Sequence, residues 1–282
     1  MSKCNGAGKG RSVLITGCST GIGLSCAHGL QQRGYRVFAS ARSAQDVDRL
    51  SAVGLEALHL DVDDSASIAD ALDTLLERTG GKLYGLFNNA GFGQAGAVED
   101  LTRDALRAQF ETNLFGLVEL QNRVVPIMRA QGEGRIVQNS SVLGLIALAY
   151  RGAYVASKYA VEGITDTLRQ ELHGSNIFPV LIEPGPIESR FRANSLAAFR
   201  RHVDYQNSVH RDRYAGMLER LDKQGPAVPF TLPPEAVLAK LIKALEARRP
   251  KPRYYVTFPT YLFGTLKRWL PDRLMDKVLM KV

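Results

Sequence analysis

Near its start the chain reads Ser12-Val-Leu-Ile-Thr-Gly17-Cys-Ser-Thr-Gly21-Ile-Gly23. A short apolar run that ends in a glycine-rich turn is typical of a buried strand leading into a helix. Gly17 permits a tight turn, Gly21 lets the backbone approach a pyrophosphate, and Gly23 lets the helix pack closely on the sheet. The N–H groups at the helix start would face the phosphates. The stretch favours a dinucleotide-binding turn over one that merely joins a strand to a helix.

Strand and helix patterns alternate along the rest of the chain. Strands are predicted at residues 12–16, 35–39, 55–60, 83–87, 134–138 and 176–182. Helices are predicted at residues 21–33, 64–79, 102–129 and 152–173, with Pro126 bending or ending the third. Such alternation predicts an α/β fold, a single doubly wound parallel sheet (Rossmann fold) with helices on both faces. The ligand crevice is then expected at the carboxyl ends of the strands.

Composition narrows the class of protein. The 282 residues, 45% of them hydrophobic, suit a globular domain over residues 11–257, after a flexible stretch at 1–10. Three cysteines without zinc-like spacing predict no metal site and a reducing cytoplasm. No apolar run approaches the ~20 residues of a membrane-spanning helix, and residues 1–9 lack a secretory segment. The formal net charge is +8, but the basic residues form no run interleaved with aromatic residues. No nucleic-acid partner is therefore expected.

The end of the second strand indicates which dinucleotide is bound. NAD-binding proteins of this fold usually carry an Asp or Glu there that binds the ribose. The chain instead reads Ala39-Ser-Ala-Arg42-Ser43, and a guanidinium suits a phosphate. Ser19 and Ser43 offer further hydroxyl donors. We therefore predict NADP(H) as the cofactor, the alternative being that Arg42 is an ordinary surface charge.

Two further strand ends carry polar residues. Asn88-Asn89-Ala90-Gly91 follows the fourth strand, where its glycine permits close approach of a ligand and its amides can bond neighbouring backbone. Asp61 follows the third strand. It either accepts a hydrogen bond from the adenine amino group or caps the helix that begins near Asp64.

A set of polar residues further along predicts proton transfer. Tyr154 and Lys158 are four residues apart, so they lie on one helix face. A neighbouring ammonium, with the charge of an oxidised nicotinamide, would lower the pKa of the phenol. Tyr154 would then exchange a proton with a carbonyl or alcohol, and Ser141 would stabilise charge on the substrate oxygen. Asn113 could sit behind the lysine and order a water that relays protons.

These motifs together resemble the short-chain dehydrogenase/reductase family over residues 11–247. Residues 16–23 match its cofactor turn and residues 88–91 its fourth-strand motif. Asn113, Ser141, Tyr154 and Lys158 match the catalytic set of the family one by one. Glu183-Pro-Gly-Pro-Ile-Glu-Ser189 resembles the P-G-x-V-x-T segment that contacts nicotinamide, with Ile187 in place of Val and Ser189 in place of Thr.

Within the family, the glycine turn and Arg42 resemble the NADP-dependent group around 17β-hydroxysteroid and retinol dehydrogenases, and the chain is most similar to bacterial aldehyde reductases of that branch. The resemblance implies an NADPH-dependent reductase, reversible as an alcohol dehydrogenase. The alternative is a non-catalytic regulator that senses NADP on the same fold. The predicted cofactor contacts, besides Tyr154 and Lys158, are Gly17, Ser19, Thr20, Gly21, Ile22, Gly23, Arg42, Asp61, Asn89, Ala90, Gly91, Pro184, Gly185, Ile187 and Ser189.

Specificity is expected in a substrate lid at residues 187–232. Its apolar residues could join residues of other loops in a pocket for an apolar aldehyde or ketone, or simply pack the lid onto the domain. The residues in question are Phe191, Phe199, Tyr205, Tyr214, Met217 and Leu218, with Phe92, Val142, Leu143 and Leu145.

Two features concern assembly. The helices at residues 102–129 and 152–173 resemble those by which the family associates, which implies a homodimer or homotetramer. The basic amphipathic tail at residues 258–282 either docks on its own domain or a partner subunit, or makes peripheral contact with an anionic membrane.

Overall fold

The computed structural model describes residues 8, 10–223, 225 and 228–281. These residues form one seven-stranded sheet in the order β3-β2-β1-β4-β5-β6-β7, with every neighbouring pair parallel. The doubly wound parallel sheet is confirmed, and the short last strand was not predicted. The strands are β1 (Ser12–Ile15), β2 (Arg36–Ala41), β3 (Glu56–His59), β4 (Gly85–Asn88), β5 (Gly134–Asn139), β6 (Ile177–Glu183) and β7 (Arg253–Tyr255).

Helices cover both faces of the sheet. They are α1 (Gly21–Gln32), α2 (Ala44–Ala52), α3 (Ser65–Thr79), α4 (Arg103–Phe110), α5 (Gly116–Gln131), α6 (Gly152–Glu171), α7 (Phe191–His202), α8 (Arg211–Asp222), α9 (Glu235–Glu246), α10 (Phe258–Trp269) and α11 (Asp272–Leu279). Most of the predicted stretch 1–10 lies outside the described residues.

Alternation along β1 shows why the strands are apolar throughout. Val13 and Ile15 pack into one buried cluster with Leu30 of α1 and Leu241 of α9. Leu14, between them in the sequence, points to the opposite face and packs against α3 and α5. Because successive side chains of a strand face opposite ways, a sheet covered on both faces needs apolar residues at every position.

The helix predicted at residues 102–129 is interrupted, but not at Pro126. Thr102 accepts a hydrogen bond from Ala105 N and caps α4. A π-helical turn at Glu111–Phe115 then joins α4 to α5. Pro126 lies inside α5, which continues to Gln131, so the proline does not end the helix. Asn113 falls in the π-helical turn, a distortion that frequently marks functional sites.

The segment after β6 forms a cluster of its own. Phe199 of α7 and Tyr214 of α8 are fully buried. Tyr214 accepts a hydrogen bond from Ala97 N at 2.8 Å and donates one to Asp100. Tyr205, Met217 and Leu218 pack around them. These residues therefore hold the segment onto the loop after β4. Of the two alternatives for the lid residues, packing onto the domain applies to this group.

The tail docks on its own domain. Phe263 and Leu266 of α10, Leu270 just after it and Met275 of α11 pack against Leu143 and neighbouring residues of the loop after β5. Within the described part of the chain, no helix is long and apolar enough to cross a bilayer. Cys18 and Cys26 are both buried and free.

Candidate active site

The glycine turn between β1 and α1 is closely packed. Gly17 has φ of +70°, and a side chain there would meet Ala90 Cα at 2.9 Å. A Cβ on Gly23 would overlap the Gly17 carbonyl oxygen and lie 2.8 Å from Asn89 Nδ2. The turn thus leaves no room for side chains at either position and exposes the start of α1. Such a backbone cradle fits the pyrophosphate of a dinucleotide.

Hydrogen bonds fix the turn to the end of β4. The Thr16 hydroxyl accepts bonds from the backbone N–H groups of Asn89 and Ala90, both at 2.9 Å. Asn89 Nδ2 donates in return to the carbonyls of Thr16 at 2.9 Å and Gly17 at 3.1 Å. The structure therefore brings the two predicted cofactor motifs together.

The same chain of bonds reaches the predicted catalytic lysine. Asn139 Nδ2 donates to Asn89 Oδ1 at 2.9 Å, and the Asn139 carbonyl accepts a bond from Lys158 Nζ at 2.7 Å. Lys158 Nζ lies 5.7 Å from the centre of the Tyr154 ring. Asn139 was not predicted, because its role depends on how three separate strands end at one edge.

Burial shifts the pKa values of Tyr154 and Lys158 in opposite directions. Burial raises the pKa of Tyr154 to about 12, against the lowering effects of a hydrogen bond with Ser141 and of the Arg151 charge. Burial lowers the pKa of Lys158 to about 8, partly opposed by Glu162. The pKa of the phenol is thus raised in the protein alone, the reverse of the direction expected beside an ammonium. The lowered pKa stays a prediction for the complex with an oxidised nicotinamide.

Asn113 lies behind this pair without reaching the lysine through its side chain. Its amide exchanges two bonds with the Phe92 backbone, at 3.0 and 3.1 Å. It also donates to the Ser157 hydroxyl at 3.1 Å. Ser157 in turn donates to the Tyr154 carbonyl at 2.8 Å. Asn113 therefore fixes α6, and no sequence signal pointed to Ser157.

Arg42 is exposed just after β2, and a second guanidinium lies at the glycine turn. Arg49 of α2 donates to the Ser19 carbonyl at 2.6 Å, beside the glycine turn. The side chain of Ser43 accepts a bond from Asp46 N and caps α2. Arg49 was not predicted, because α2 was not assigned from the sequence.

Asp61 does not cap the following helix. Asp64 Oδ1 accepts a bond from Ala66 N and caps α3. Asp61 Oδ1 instead accepts a bond from Asp63 N at 3.1 Å. The capping role is therefore wrong for Asp61, and adenine binding stays a prediction.

The segment after β6 borders the same crevice. The Pro184 carbonyl accepts a bond from Val142 N at 2.8 Å, next to Ser141. A Cβ on Gly21 would come within 3.0 Å of Ser189 Cβ, so the predicted nicotinamide segment lies against the glycine turn. Ile187 pairs with Leu232, and a side chain on Gly185 would overlap Thr257.

One lid residue reaches the predicted catalytic tyrosine. The Phe191 ring lies 5.2 Å from the Tyr154 ring in an edge-to-face arrangement. On its other side it occupies the space beside Gly93. Of the apolar lid residues named from the sequence, Phe191 is thus the one seen to contact the Tyr154 ring, and Val142, Leu143 and Leu145 belong to the cluster around Tyr154.

A buried charge cluster supports the site from behind. Arg253 of β7 donates to Glu183 at 2.7 Å, to Asp166 at 2.5 Å and to Glu162. Glu162 also accepts a bond from the Ser140 hydroxyl. Burial raises the pKa of Glu183 to about 8. The cluster ties the strand end that precedes Ser141 to α6 one turn after Lys158.

This arrangement defines an α/β oxidoreductase with a crevice for a nicotinamide cofactor. The protein-family model described as "short chain dehydrogenase" matches residues 11–198. The chain belongs to the short-chain dehydrogenase/reductase family, whose members use a nicotinamide cofactor and act on CH–OH or C=O groups of small molecules.

Three similar proteins extend this result. "Uncharacterized oxidoreductase YbbO" of Escherichia coli strain K12 is 44% identical over 269 residues, which are 95% of this chain and 94% of that protein. "NADPH-dependent 3-dehydrocapnine reductase" of Ornithobacterium rhinotracheale is 31% identical over 280 residues, 96% of each chain. The structure of a Burkholderia phymatum short-chain dehydrogenase/reductase in complex with NAD superposes with a TM-score of 0.78, at 26% identity over 97% of this chain and 96% of that chain.

Proposed function

We propose that the protein is an NADPH-dependent oxidoreductase that reduces an apolar aldehyde or ketone to the alcohol, reversibly, with Tyr154 as general acid and base. The observation that carries the proposal is the buried Tyr154 hydroxyl, hydrogen-bonded with Ser141 and next to the Lys158 ammonium, at the edge of a glycine-lined crevice.

Each polar residue of the site has a separate role in the proposed reaction. Tyr154 donates its proton to the carbonyl oxygen, while the Ser141 hydroxyl donates a hydrogen bond that stabilises the developing charge. Lys158, fixed by the Asn139 carbonyl, stabilises the tyrosinate left behind. Asn113 and Ser157 hold α6 so that this geometry is kept. When bound, NADPH supplies the hydride.

The cofactor would lie along the crevice edge. Gly17, Ser19, Thr20, Gly21, Ile22 and Gly23 would hold its pyrophosphate, with Asn89, Ala90 and Gly91 beside them. Pro184, Gly185, Ile187 and Ser189 would hold the nicotinamide end, and Asp61 the adenine.

The preference for NADP rests on Arg42, and Arg49 adds a second positive charge at the glycine turn, where it donates to the Ser19 carbonyl. The similarity to a relative described as NADPH-dependent supports it, whereas the superposed Burkholderia structure holds NAD. Arg42→Asp should raise KM for NADPH at least ~10-fold and improve the relative use of NADH, because a guanidinium–phosphate contact is replaced by repulsion. An unchanged ratio of kcat/KM for the two cofactors would refute the assignment.

The main test is NADPH oxidation with a panel of carbonyl substrates, from short polar to long apolar aldehydes and ketones. We expect higher kcat/KM for the apolar members, since Phe191 and the leucines of the loop after β5 border Tyr154. Tyr154→Phe should bind NADPH normally yet lose turnover by ~10²-fold or more, because the general acid is gone. Cofactor binding without turnover of any carbonyl would favour the regulator instead.

Location and assembly follow as parts of the same proposal. We expect a cytoplasmic enzyme, since its few described cysteines are unpaired. A homodimer or homotetramer is expected, because members of the family commonly form oligomers and the π-helical turn and α6 carry exposed Phe115 and Ile164.

A further inference from the structure

The outer side of α10 is apolar and uncovered. Phe258, Tyr261, Leu262 and Trp269 are exposed on it, Trp269 at 81% and Phe258 at 56% of full exposure. Their spacing of three, four and seven residues places them along one side of the helix. Large apolar side chains that form one continuous exposed patch commonly mark an interaction surface.

This exposure does not come from an undocked tail. A neighbouring side of α10 carries Phe263 and Leu266, which pack together with Leu270 against the loop after β5. Gly264 is buried against the Tyr255 ring, so the helix lies close to β7. The helix is thus apolar on two sides, and the domain covers one of them. A helix of that kind usually has both sides covered in its working state.

Phe230 extends the patch beyond the helix. Its ring centre lies 5.0 Å from that of Phe258, and it is 59% exposed. Its backbone has φ of +61°, a conformation that is costly for a bulky residue. The chain therefore holds an aromatic side chain outward, next to another one, in a conformation that residues of this type avoid. We call Phe230, Phe258, Tyr261, Leu262 and Trp269 the aromatic face.

Basic residues border the aromatic face. Lys240 of α9 donates to the Tyr261 hydroxyl at 3.3 Å, and Arg268 follows on α10. Arg273 and Lys277 are exposed on α11. Residues 258–282 contain five Lys and Arg against two Asp, in a chain of formal charge +8. A basic border around exposed aromatic rings is complementary to a surface with anionic groups over an apolar interior.

We propose that the aromatic face docks the protein peripherally on an anionic phospholipid membrane. Trp and Tyr favour the level of the lipid headgroups, and each nearby Lys or Arg adds attraction to anionic lipid. A second copy of the chain fits the face less well. A twofold interface would bring Arg268 and Arg273 against the same basic surface of the partner, where the five Lys and Arg of residues 258–282 outnumber the two carboxylates, Asp272 and Asp276.

Docking would also orient the substrate side of the enzyme. The inner side of α10 belongs to the same apolar cluster as Tyr154. A protein that lies on its aromatic face would therefore keep the loop after β5 close to the bilayer. This consequence rests on the proposed function, because it concerns delivery of an apolar carbonyl from the membrane, whereas docking itself does not.

Trp269 makes the proposal directly measurable, because it is the one tryptophan of the chain. The full-length protein is mixed with phosphatidylcholine vesicles that contain ~30% phosphatidylglycerol, an anionic lipid. We expect a blue shift of the emission and quenching by brominated lipid. Neutral phosphatidylcholine vesicles, or ~0.5 M NaCl, should weaken the effect at least ~10-fold, because the attraction to the border is screened.

Matched variants distinguish binding through the aromatic face from nonspecific adsorption to vesicles. Phe258→Ser with Leu262→Ser should lower vesicle affinity by ~10-fold or more, because two large side chains no longer leave water. Val209→Ser, a substitution at an exposed apolar residue of the lid, should leave affinity unchanged. Cosedimentation measures both, and NADPH binding with the thermal midpoint checks that each variant is folded.

Three outcomes decide the proposal. Vesicle binding that needs anionic lipid and the aromatic face supports it, whether or not any carbonyl is turned over. Unchanged Trp269 emission together with no cosedimentation of the intact chain would overturn it. A blue shift that grows with protein concentration in the absence of lipid would overturn it too, in favour of self-association through this face.

Discussion

Tyr154 and Lys158 experience the same burial with opposite results. Removing a side chain from water disfavours its charged form, so the pKa of the phenol rises and that of the ammonium falls. Tyr154 therefore keeps its proton across the physiological range, as the proposed role of proton donor requires. Of these two residues, Lys158 is the one whose charge changes near neutral pH.

The first prediction is that carbonyl reduction weakens as the pH rises through about 8, the pKa of Lys158. The ammonium is present below that pH and lost above it, while Tyr154 stays protonated on both sides. The pH profile of kcat at saturating NADPH measures this. In Lys158→Arg, whose guanidinium does not titrate in the range, the residual activity should lack the decline. A profile that is flat to pH 9.5 in the unmodified enzyme would contradict the assignment, on an estimated margin of ~1.5 pH units.

The second prediction concerns Ser157, which links Asn113 to the Tyr154 backbone. Ser157→Ala should lower the free energy of unfolding by ~1–3 kcal/mol, because the buried Asn113 amide loses its acceptor. Urea unfolding measures the loss. Ser51→Ala, at an exposed serine, should change stability by less than ~0.5 kcal/mol. Equal effects of the two substitutions would show that the link contributes nothing.

Among the elements, those with strong local patterns were predictable. The apolar strands at the sheet centre and the helices after them carry periodic residues, so β1, α1, α3, α6 and β6 were placed within a few residues. β7 has three residues that are all partly exposed, and its pairing with β6 depends on distant contacts. α2 has an apolar pattern too sparse for detection, and only Leu50 of it is buried.

The site follows the same division. The glycine turn, Ser141, Tyr154 and Lys158 could be named because local spacing defines them. Asn139, Ser157, Arg49 and Arg253 could not, because each acts through partners that are far away in the sequence and meet only in the fold. The amino-acid composition of the lid did not reveal which of its aromatic residues face a substrate, because most of them pack the lid onto the domain.

The third prediction belongs to the turn between β1 and α1. Gly23→Ala should weaken NADPH binding at least ~10-fold and lower stability by ~1–3 kcal/mol, since its Cβ would overlap a backbone oxygen that cannot move aside. Gly163→Ala is the matched control, because it lies in α6 with open space around it. That control should stabilise the protein by up to ~1 kcal/mol. Isothermal titration and urea unfolding measure the two quantities.

At the scale of the molecule, the surface of the π-helical turn and α6 is suited to association between subunits. Phe115 and Ile164 border an open cavity of about 540 Å³ together with Leu114 and Val118. This face lies on different helices from the aromatic face of α10. Association between subunits and membrane contact would therefore use separate surfaces.

The fourth prediction is that Phe115→Glu shifts the oligomer towards monomers. A carboxylate at the centre of an apolar interface would have to lose its water without a partner, which costs several kcal/mol. Sedimentation velocity of the variant and of the unmodified chain measures the shift. Val53→Glu, at another exposed apolar residue, should sediment like the unmodified chain. If the unmodified protein sediments as a monomer, the proposed association between subunits is wrong.

The two buried thiols have a practical consequence. Cys18 and Cys26 lie in the same buried cluster, and burial raises the pKa of Cys18 to about 12 and that of Cys26 as well. Neither readily forms the thiolate that thiol–disulfide exchange needs, so a Cys4→Ser protein should resist Ellman's reagent for as long as the fold persists. Release of thionitrobenzoate from that protein would then report opening of the native state, and its rate at high reagent concentration would give the lifetime of the fold.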